Sequence, residues 1–469
     1  MDEKNTLSGV SRRRLLQVAG AGVAGGAVLY GLDKLRLLPS FEKPLPVPAA
    51  EKMTYRVNPK NGDKVSLLGF GCMRFPMLPG ADSPTGAEVN EQGAFALVDY
   101  AMAHGVNYYD TAWPYHQGVS ESVIGKALQR YPRESYFLAD KMPTFLMPTR
   151  EQAKEIFEKQ LEKCKVDYFD YYLLHAIRFV EDYQTVYEKN GVLEYLFEEK
   201  KKGRIRNLGW SFHGNTETLE YLLSRNVEWD FAMVQLNYHD MLHKYEIAPR
   251  QAKFIPKDPA PTQWMFEKMQ QSGLPLIVME PLLGGRLARL NKKALAILQA
   301  ERPEASAASW AFRYVAGLPN VITMLSGMTY MEHLQDNLRA LAPYEPLSDR
   351  EMQTLKAALD VFLTGANIRC TTCGYCMPCP YGVDIPAVFA HFNRCLDDEQ
   401  VPKGTRDADY EKARRAYLVE YERAIPELRQ AERCTGCGVC LKHCPQMIPI
   451  PEEMARLGKF VENLRTRQG

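Results

Sequence analysis

The sequence predicts a parallel (β/α)8 barrel followed by a smaller, mainly α-helical domain. Three observations carry that expectation. Eight short apolar runs alternate with amphipathic stretches from Val65 onward, where apolar residues recur at three and four. No run is followed by the G-x-G-x-x-G of a dinucleotide-binding open sheet, which disfavours a doubly wound fold. Eight of the eleven cysteines lie in two short runs near the C-terminus, outside the alternating region.

The first fifty residues differ from the rest of the chain. "SRRRLLQ", Ser11 to Gln17, precedes an uncharged stretch rich in Gly and Ala, from Leu15 to Leu32, and then "LPSFEKPLPVPAA". A basic segment, a weakly apolar segment and small residues before a cut, here Val47-Pro48-Ala49, make an export signal. Ser11, Arg12, Arg13, Leu15 and Leu16 make it resemble a twin-arginine (Tat) signal, with Gln17 departing from the usual lysine. A membrane anchor is the alternative, but five glycines make the stretch poorly lipophilic. Residues 1–50 are therefore expected to be a cleaved signal and linker. Export through the Tat machinery would place the protein in the periplasm or cell envelope.

The barrel is assigned to residues 51–364, with strands expected in "VSLLGFG", "VNYYDTA", "SYFLADK", "FDYYLLHA", "RIRNLGWSF", "FAMVQLNY", "LPLIVMEP" and "VITMLSG". Polar residues fall toward the ends of successive runs: Asp110, Lys141, His175, Ser211, Gln235 with Asn237, and Glu280. A barrel gathers all its strand ends on one face, where barrel active sites lie. One such residue alone is usually a satisfied rim group; a whole series is not.

"DTAWPYHQG" puts Tyr115 five places after Asp110, "FLADKMP" supplies Lys141 and "DYYLLHA" supplies His175. Together they resemble the Asp/Tyr/Lys/His tetrad of the aldo-keto reductases, with "SESVIGKAL", "KKGRIRNLGWS" and "EPLLGGRL" following in the family's order. The chemistry of the four is also readable without the name. A carbonyl accepting a hydride develops charge on oxygen and needs a proton donor, and a phenol of ordinary pKa near ~10 is a sluggish one. Lys141 is expected to lower the phenol of Tyr115, with Asp110 holding the ammonium and His175 donating to the carbonyl oxygen. The bland alternative is a buried Asp110–Lys141 ion pair beside a packed Tyr115.

The resemblance also implies a nicotinamide cofactor, NAD(P)H. Ser211 and Gln235 match positions that hold the carboxamide, but Phe212 stands where the family has asparagine. In "SGMTYMEHLQDN", Gly327, Met328 and His333 replace the lysine, serine and arginine that grip the 2′-phosphate of NADPH, and only Asn337 remains. Preference for the phosphorylated cofactor is not expected. Arg286, after two glycines in "EPLLGGRL", is a candidate for the pyrophosphate. Trp113 and His116 are candidates to shape the substrate pocket.

Residues 365–469 hold the cysteine runs. Cys434, Cys437, Cys440 and Cys444 before Pro445 follow C-x2-C-x2-C-x3-C-P, the bacterial ferredoxin pattern, whose fourth cysteine serves the other cluster. Cys370, Cys373, Cys376 and Cys379 form the same pattern shortened by one residue. Zinc prefers separated C-x2-C pairs, and cysteines three apart make a poor disulfide framework. Two 4Fe-4S clusters are expected, held by Cys370, Cys373, Cys376 with Cys444, and by Cys434, Cys437, Cys440 with Cys379. The charged helical stretch between the runs suggests an α-helical ferredoxin-like domain. Cys72, Cys164 and Cys395 have no partner spacing and are expected to be ordinary buried residues.

With 58 basic and 57 acidic side chains, the chain lacks the charge of a nucleic-acid binder. Two functions fit. In one, the barrel interconverts a small-molecule carbonyl and alcohol and the clusters relay electrons to a redox partner protein. In the other, the barrel is a non-catalytic scaffold of an electron-transfer protein.

Overall fold

Each of the apolar runs supplies one barrel strand: β3 (Leu68–Gly71), β4 (Tyr108–Asp110), β5 (Phe137–Met142), β6 (Phe169–Ile177), β7 (Ile205–Phe212), β8 (Phe231–Gln235), β9 (Leu276–Met279) and β10 (Val321–Ser326). In a computed structural model, which describes residues 52–81, 83–243, 260–362, 368–402, 404, 406 and 408–467, these strands close into a barrel. Every neighbouring pair is parallel, and β10 closes on β3. Tyr108, Ala139, Tyr171, Leu173, Phe231, Met233 and Ile277 pack inside. The rings of Tyr108 and Tyr171 meet edge-on at 5.2 Å, and those of Tyr171 and Phe231 at 5.0 Å. Burying such side chains contributes about 1.5–3 kcal/mol each, so the interior is a core rather than a channel.

The first run, "VSLLGFG", is two elements and not one. A hairpin of β1 (Tyr55–Val57) and β2 (Lys64–Ser66) precedes β3, pairing Tyr55 with Ser66 and Val57 with Lys64. Ser66 redirects the chain, because its hydroxyl donates to the Leu68 carbonyl at 2.8 Å while its amide donates to Asn107 Oδ1 at 2.7 Å. The hairpin closes the strand-start mouth, where Tyr171 donates to Asp63 at 2.9 Å and accepts from Asn58 at 3.2 Å. Only the opposite mouth is left for chemistry.

Outer helices begin at side-chain caps. Thr149 and Gln152 form a reciprocal capping box ahead of Arg150–Cys164, and Asn215, Asn291 and Ser306 cap three more helices. The last barrel helix, Asp349–Phe362, is pinned by a bidentate pair in which Arg313 donates to Glu351 at 2.7 and 3.0 Å.

The cysteine-bearing segment packs helices Ile385–Asp397, Tyr410–Ala424 and Ile450–Thr466 around Phe389, Phe392, Tyr417, Tyr421, Met454 and Val461. The first and last of these helices each begin just after a Cys-Pro run, with proline in the first turn. Barrel and segment lie in one compact unit, Pro48–Gly469. They meet at the strand-end mouth: Arg369 pairs with Asp240 at 2.7 Å, and Arg74 donates to the Thr371 carbonyl at 2.6 Å. Cys72, Cys164 and Cys395 are buried, as expected of ordinary core residues. Residues 1–50, where the export signal is expected, lie outside the described residues.

Candidate active site

Asp110 ends β4, Lys141 and His175 lie in β5 and β6, and Tyr115 opens the one-turn helix Tyr115–Gly118 after β4. The barrel brings all four together. Lys141 Nζ donates to Asp110 Oδ1 and to the Thr111 carbonyl, both at 2.6 Å, and the pair is almost fully buried. The same ammonium sits 4.9 Å from the centre of the Tyr115 ring, and that ring meets His175 edge-on at 6.2 Å.

The electrostatics differ from the sequence expectation at Tyr115. Its phenol is pushed well above the ordinary tyrosine value, first by burial and then by Asp110, Cys72, Glu280 and Asp140. The Lys141 ammonium, which lies against the ring and gives hydrogen bonds to Asp110 and Thr111, does not offset that rise. Asp110 itself is raised, since burial outweighs the attraction of Lys141. His175 is held well below its usual value by burial, with Lys141, His213 and Arg178 adding to the effect, so it is neutral at physiological pH.

A fifth side chain joins the site from the cysteine-bearing loop. Tyr375, between Cys373 and Cys376, places its hydroxyl 3.4 Å from His175 Nε2 and hydrogen-bonds the side chain of Tyr115. Sequence reasoning missed this residue. The only signal was an aromatic between two ligand positions, which says nothing until the loop is docked on the barrel. His116 and Trp113 line neither the small cavity among the cysteines nor the larger one next to the tetrad. His116 accepts from the Phe75 amide at 3.0 Å and pairs with the Gly86 carbonyl at 2.9 Å, while Trp113 packs beneath Lys163 at 4.2 Å.

The cysteines gather into two sets across the two runs. Cys376 has Cys373, Cys370 and Cys444 as its first sulfur neighbours, with Cys440 of the other set after them, and a small cavity is lined by the first three together with Cys376. Cys440 has Cys434, Cys437 and Cys379, so the shortened first run still delivers its last cysteine to the second set. Arg286, nearly buried, carries three guanidinium nitrogens with no hydrogen-bond partner among the described residues, and Cys370 is among the groups that act on it. Four cysteine sulfurs per set, with an unsatisfied buried cation beside one of them, fit an anionic iron-sulfur group.

Of the positions carried over for nicotinamide, Ser211 and Asn337 are engaged within the protein. The Ser211 hydroxyl accepts from the Ala176 amide at 2.7 Å and lies 3.4 Å from the Leu174 carbonyl, so it is occupied within the barrel wall. Gln235 pairs with His213 but keeps a buried Nε2 without a hydrogen-bond partner among the described residues, and Asn337 donates to Ser326 at 2.9 Å. Arg286 lies over Phe362 beside Asp397 and Cys370. In "EPLLGGRL" a Cβ on Gly284 would meet Thr371 Cα at 2.5 Å, so backbone from the cysteine loop already fills the approach to that turn. At Gly327, where the family has lysine, a Cβ would meet Arg74 Cγ at 2.6 Å.

Next to the tetrad, a cavity of about 690 Å³ is lined by Phe212, His213, Gln235, Asp240, Trp264 and Gln446, among others. His213, which acts on His175, links it to the tetrad. Its walls offer two aromatic faces and several hydrogen-bonding groups.

The aldo/keto reductase family profile matches residues 67–360, and that of the 4Fe-4S dicluster domain matches residues 369–448. An uncharacterized oxidoreductase, YqkF of Bacillus subtilis (strain 168), is 26% identical over 314 residues, covering 62% of this chain and 92% of its own. The NADH-specific methylglyoxal reductase of Escherichia coli (strain K12) is 24% identical over 280 residues, covering 50% of this chain and 79% of its own. Among solved structures, the aldo-keto reductase AKR11C1 from Bacillus halodurans shares the fold, with a TM-score of 0.51 and 24% identity over 65% of this chain and 96% of its own. A barrel whose strand ends assemble Asp110, Tyr115, Lys141 and His175, and whose sequence matches the family over more than half the chain, belongs to the aldo/keto reductase family of oxidoreductases, here joined to a 4Fe-4S dicluster domain.

Proposed function

We propose that this oxidoreductase interconverts a carbonyl and an alcohol with Tyr115 as general acid and base, and exchanges the electrons with a redox partner protein through two 4Fe-4S clusters. The observation that carries the reading is the convergence of Tyr115 and His175 on one hydroxyl oxygen, that of Tyr375. A substrate oxygen seated there would be within reach of both.

Reduction of a carbonyl takes two electrons and two protons, and forms a C–H and an O–H bond. Tyr115, kept protonated by burial, supplies the proton on oxygen. The phenolate left behind is anionic, and the Lys141 ammonium against its ring offsets part of that charge. Neutral His175 donates one hydrogen bond and orients the oxygen. Asp110 holds Lys141 in place. When bound, the clusters supply single electrons, with Cys370, Cys373, Cys376 and Cys444 holding the one at the mouth and Cys434, Cys437, Cys440 and Cys379 the other.

The test is Tyr115→Phe on iron-loaded protein, screened against small aldehydes and ketones with reduced viologen as donor. Turnover falls roughly 100-fold or more, the scale of a positioned general acid, while iron content and cluster absorbance stay unchanged. Normal turnover by this variant would reject the role. A second reading, an electron-transfer protein with a scaffold barrel, is favoured by Tyr375 standing at the tetrad. Tyr375→Ala separates the two: an enzyme keeps or gains carbonyl turnover, whereas a scaffold shows none in either form. Export by the twin-arginine route with removal of residues 1–50 is part of the proposal, and the N-terminal sequence of the exported protein tests it.

A further inference from the structure

We propose that the loop from Cys370 to Cys376 is a built-in occupant of the place where a nicotinamide would lie against the tetrad, so that the barrel works without NADH or NADPH. This rests on the function proposed above and narrows the source of its electrons to a one-electron donor outside the barrel.

Three contacts fix the loop in that place. Arg74, on the turn after β3, donates to the Thr371 carbonyl at 2.6 Å and to Thr372 Oγ1 at 3.1 Å. Gly284, at φ +65°, lets Thr371 lie against the turn after β9 closely enough that any side chain there would collide with the Thr371 backbone. Tyr375 reaches between Tyr115 and His175. The loop thus spans the mouth from β3 to β9 and drops one ring onto the reacting groups.

Backbone and side chain play separable parts. A substrate oxygen needs only the Tyr375 hydroxyl to turn aside, a side-chain rotation that leaves the backbone in place. A nicotinamide needs more room, because its ring, carboxamide and pyrophosphate would have to displace Thr371 and the backbone next to it. That backbone bears Cys370, Cys373 and Cys376, so it cannot leave without pulling three cysteines from their set. The sequence is consistent with a site built for its own loop: Phe212, Gly327 and Met328 stand where the family contacts the cofactor, and Met328 is fully buried.

Reduction of a carbonyl to an alcohol then balances as one carbonyl, two protons and two electrons: the proton on oxygen comes from Tyr115, the proton on carbon from solvent water, and the electrons one at a time from a reduced carrier of the ferredoxin or viologen class.

The experiment is equilibrium binding on the full, iron-loaded chain, independent of turnover. NADH and NADPH are titrated separately by cofactor fluorescence and equilibrium dialysis, with hydrogen exchange followed at residues 370–376. Neither nucleotide saturates a site below about 1 mM, the weak end of ordinary enzyme affinities, and exchange in the loop is unchanged. Saturable binding of one equivalent of either overturns the proposal, whether or not the loop moves. Because nothing is turned over, failure here leaves the role of Tyr115 standing, and failure of Tyr115→Phe to slow turnover leaves this one standing.

Discussion

Around Cys370, Cys373 and Cys444 the barrel contributes arginines, with Arg74 acting on Cys370 and Cys373, Arg178 on Cys444, and Arg286 beside Cys370. Around Cys440 the neighbours that register are the other cysteines of its set, and Cys437 is exposed to solvent, as is the side chain of Val439 between them. Nearly identical sequence motifs therefore meet opposite surroundings. One set is enclosed by a cationic barrel rim, and the other faces outward. Ligand spacing decides what kind of group is held; the walls supplied by the rest of the chain decide what that group does and how readily it accepts an electron.

The sharpest way to break this comparison is to remove one ligand from each set. Cys373→Ser and Cys437→Ser should each lose about half of an expected eight irons per chain. Only the first should free the Tyr375 loop, read as faster hydrogen exchange at residues 370–376. If both variants disturb that loop alike, the sets are not separate inward and outward sites. A smaller effect is expected at Arg286. Replacement by Leu removes a buried cation beside Cys370, and at the effective dielectric of protein charges this is on the order of 2 kcal/mol, roughly 90 mV for one electron. The potential of the inner site falls, that of the outer one does not, and Arg286→Lys recovers most of the difference. An electron-paramagnetic-resonance titration in which both potentials move together would erase the distinction.

The pH profile sharpens the inner region further. Tyr115 must be protonated to act as acid and its phenol is raised, so carbonyl reduction should show no alkaline fall below about pH 10, the ordinary tyrosine value. A descending limb near neutrality would restore the lysine-lowered phenol that the sequence suggested. The smallest effect is on acid stability. His213 is lowered to about 3 and His391 to about 4, both chiefly by burial, and His175 is also lowered. These groups stay neutral in the folded chain while the unfolded chain takes up protons below about pH 6.5, so stability is full above that pH and declines as pH falls through it. Thermal melts at pH 7 and pH 5 should differ accordingly, with the barrel mouth, which holds His175 and His213, losing protection before the helical segment. Equal melting at both pH values would contradict the assignment.

Much of this was legible before any coordinates. Strands announced themselves because each is a short apolar run between amphipathic stretches, and their polar ends became the site because a barrel sorts all strand ends to one face. The cysteine sets were legible because ligand spacing is local. What remained hidden depends on contacts distant in sequence. The phenol of Tyr115 could not be read from the chain, since its shift comes from burial and from acidic groups, Asp110, Glu280 and Asp140, that only the fold brings near it. Ser211 and Asn337 matched by position yet are engaged with Ala176 and Ser326, contacts that the chain does not announce. Tyr375 was invisible for the same reason. Strand β2 merged with β3 in the sequence because only Ser66 separates Val65 from the apolar residues that follow.

The crossing of the two runs has a consequence for how the protein is made. Cys444 completes the inner set, and Cys379 belongs with residues that appear only from Cys434 onward. A ribosome that has finished the barrel and the first run has delivered three cysteines of one set and a single cysteine of the other. Neither set can be filled until the second run has been made, so loading waits on it for both. A truncation just before Cys434 would forfeit both sites together and, with them, the anchored loop that covers the barrel mouth.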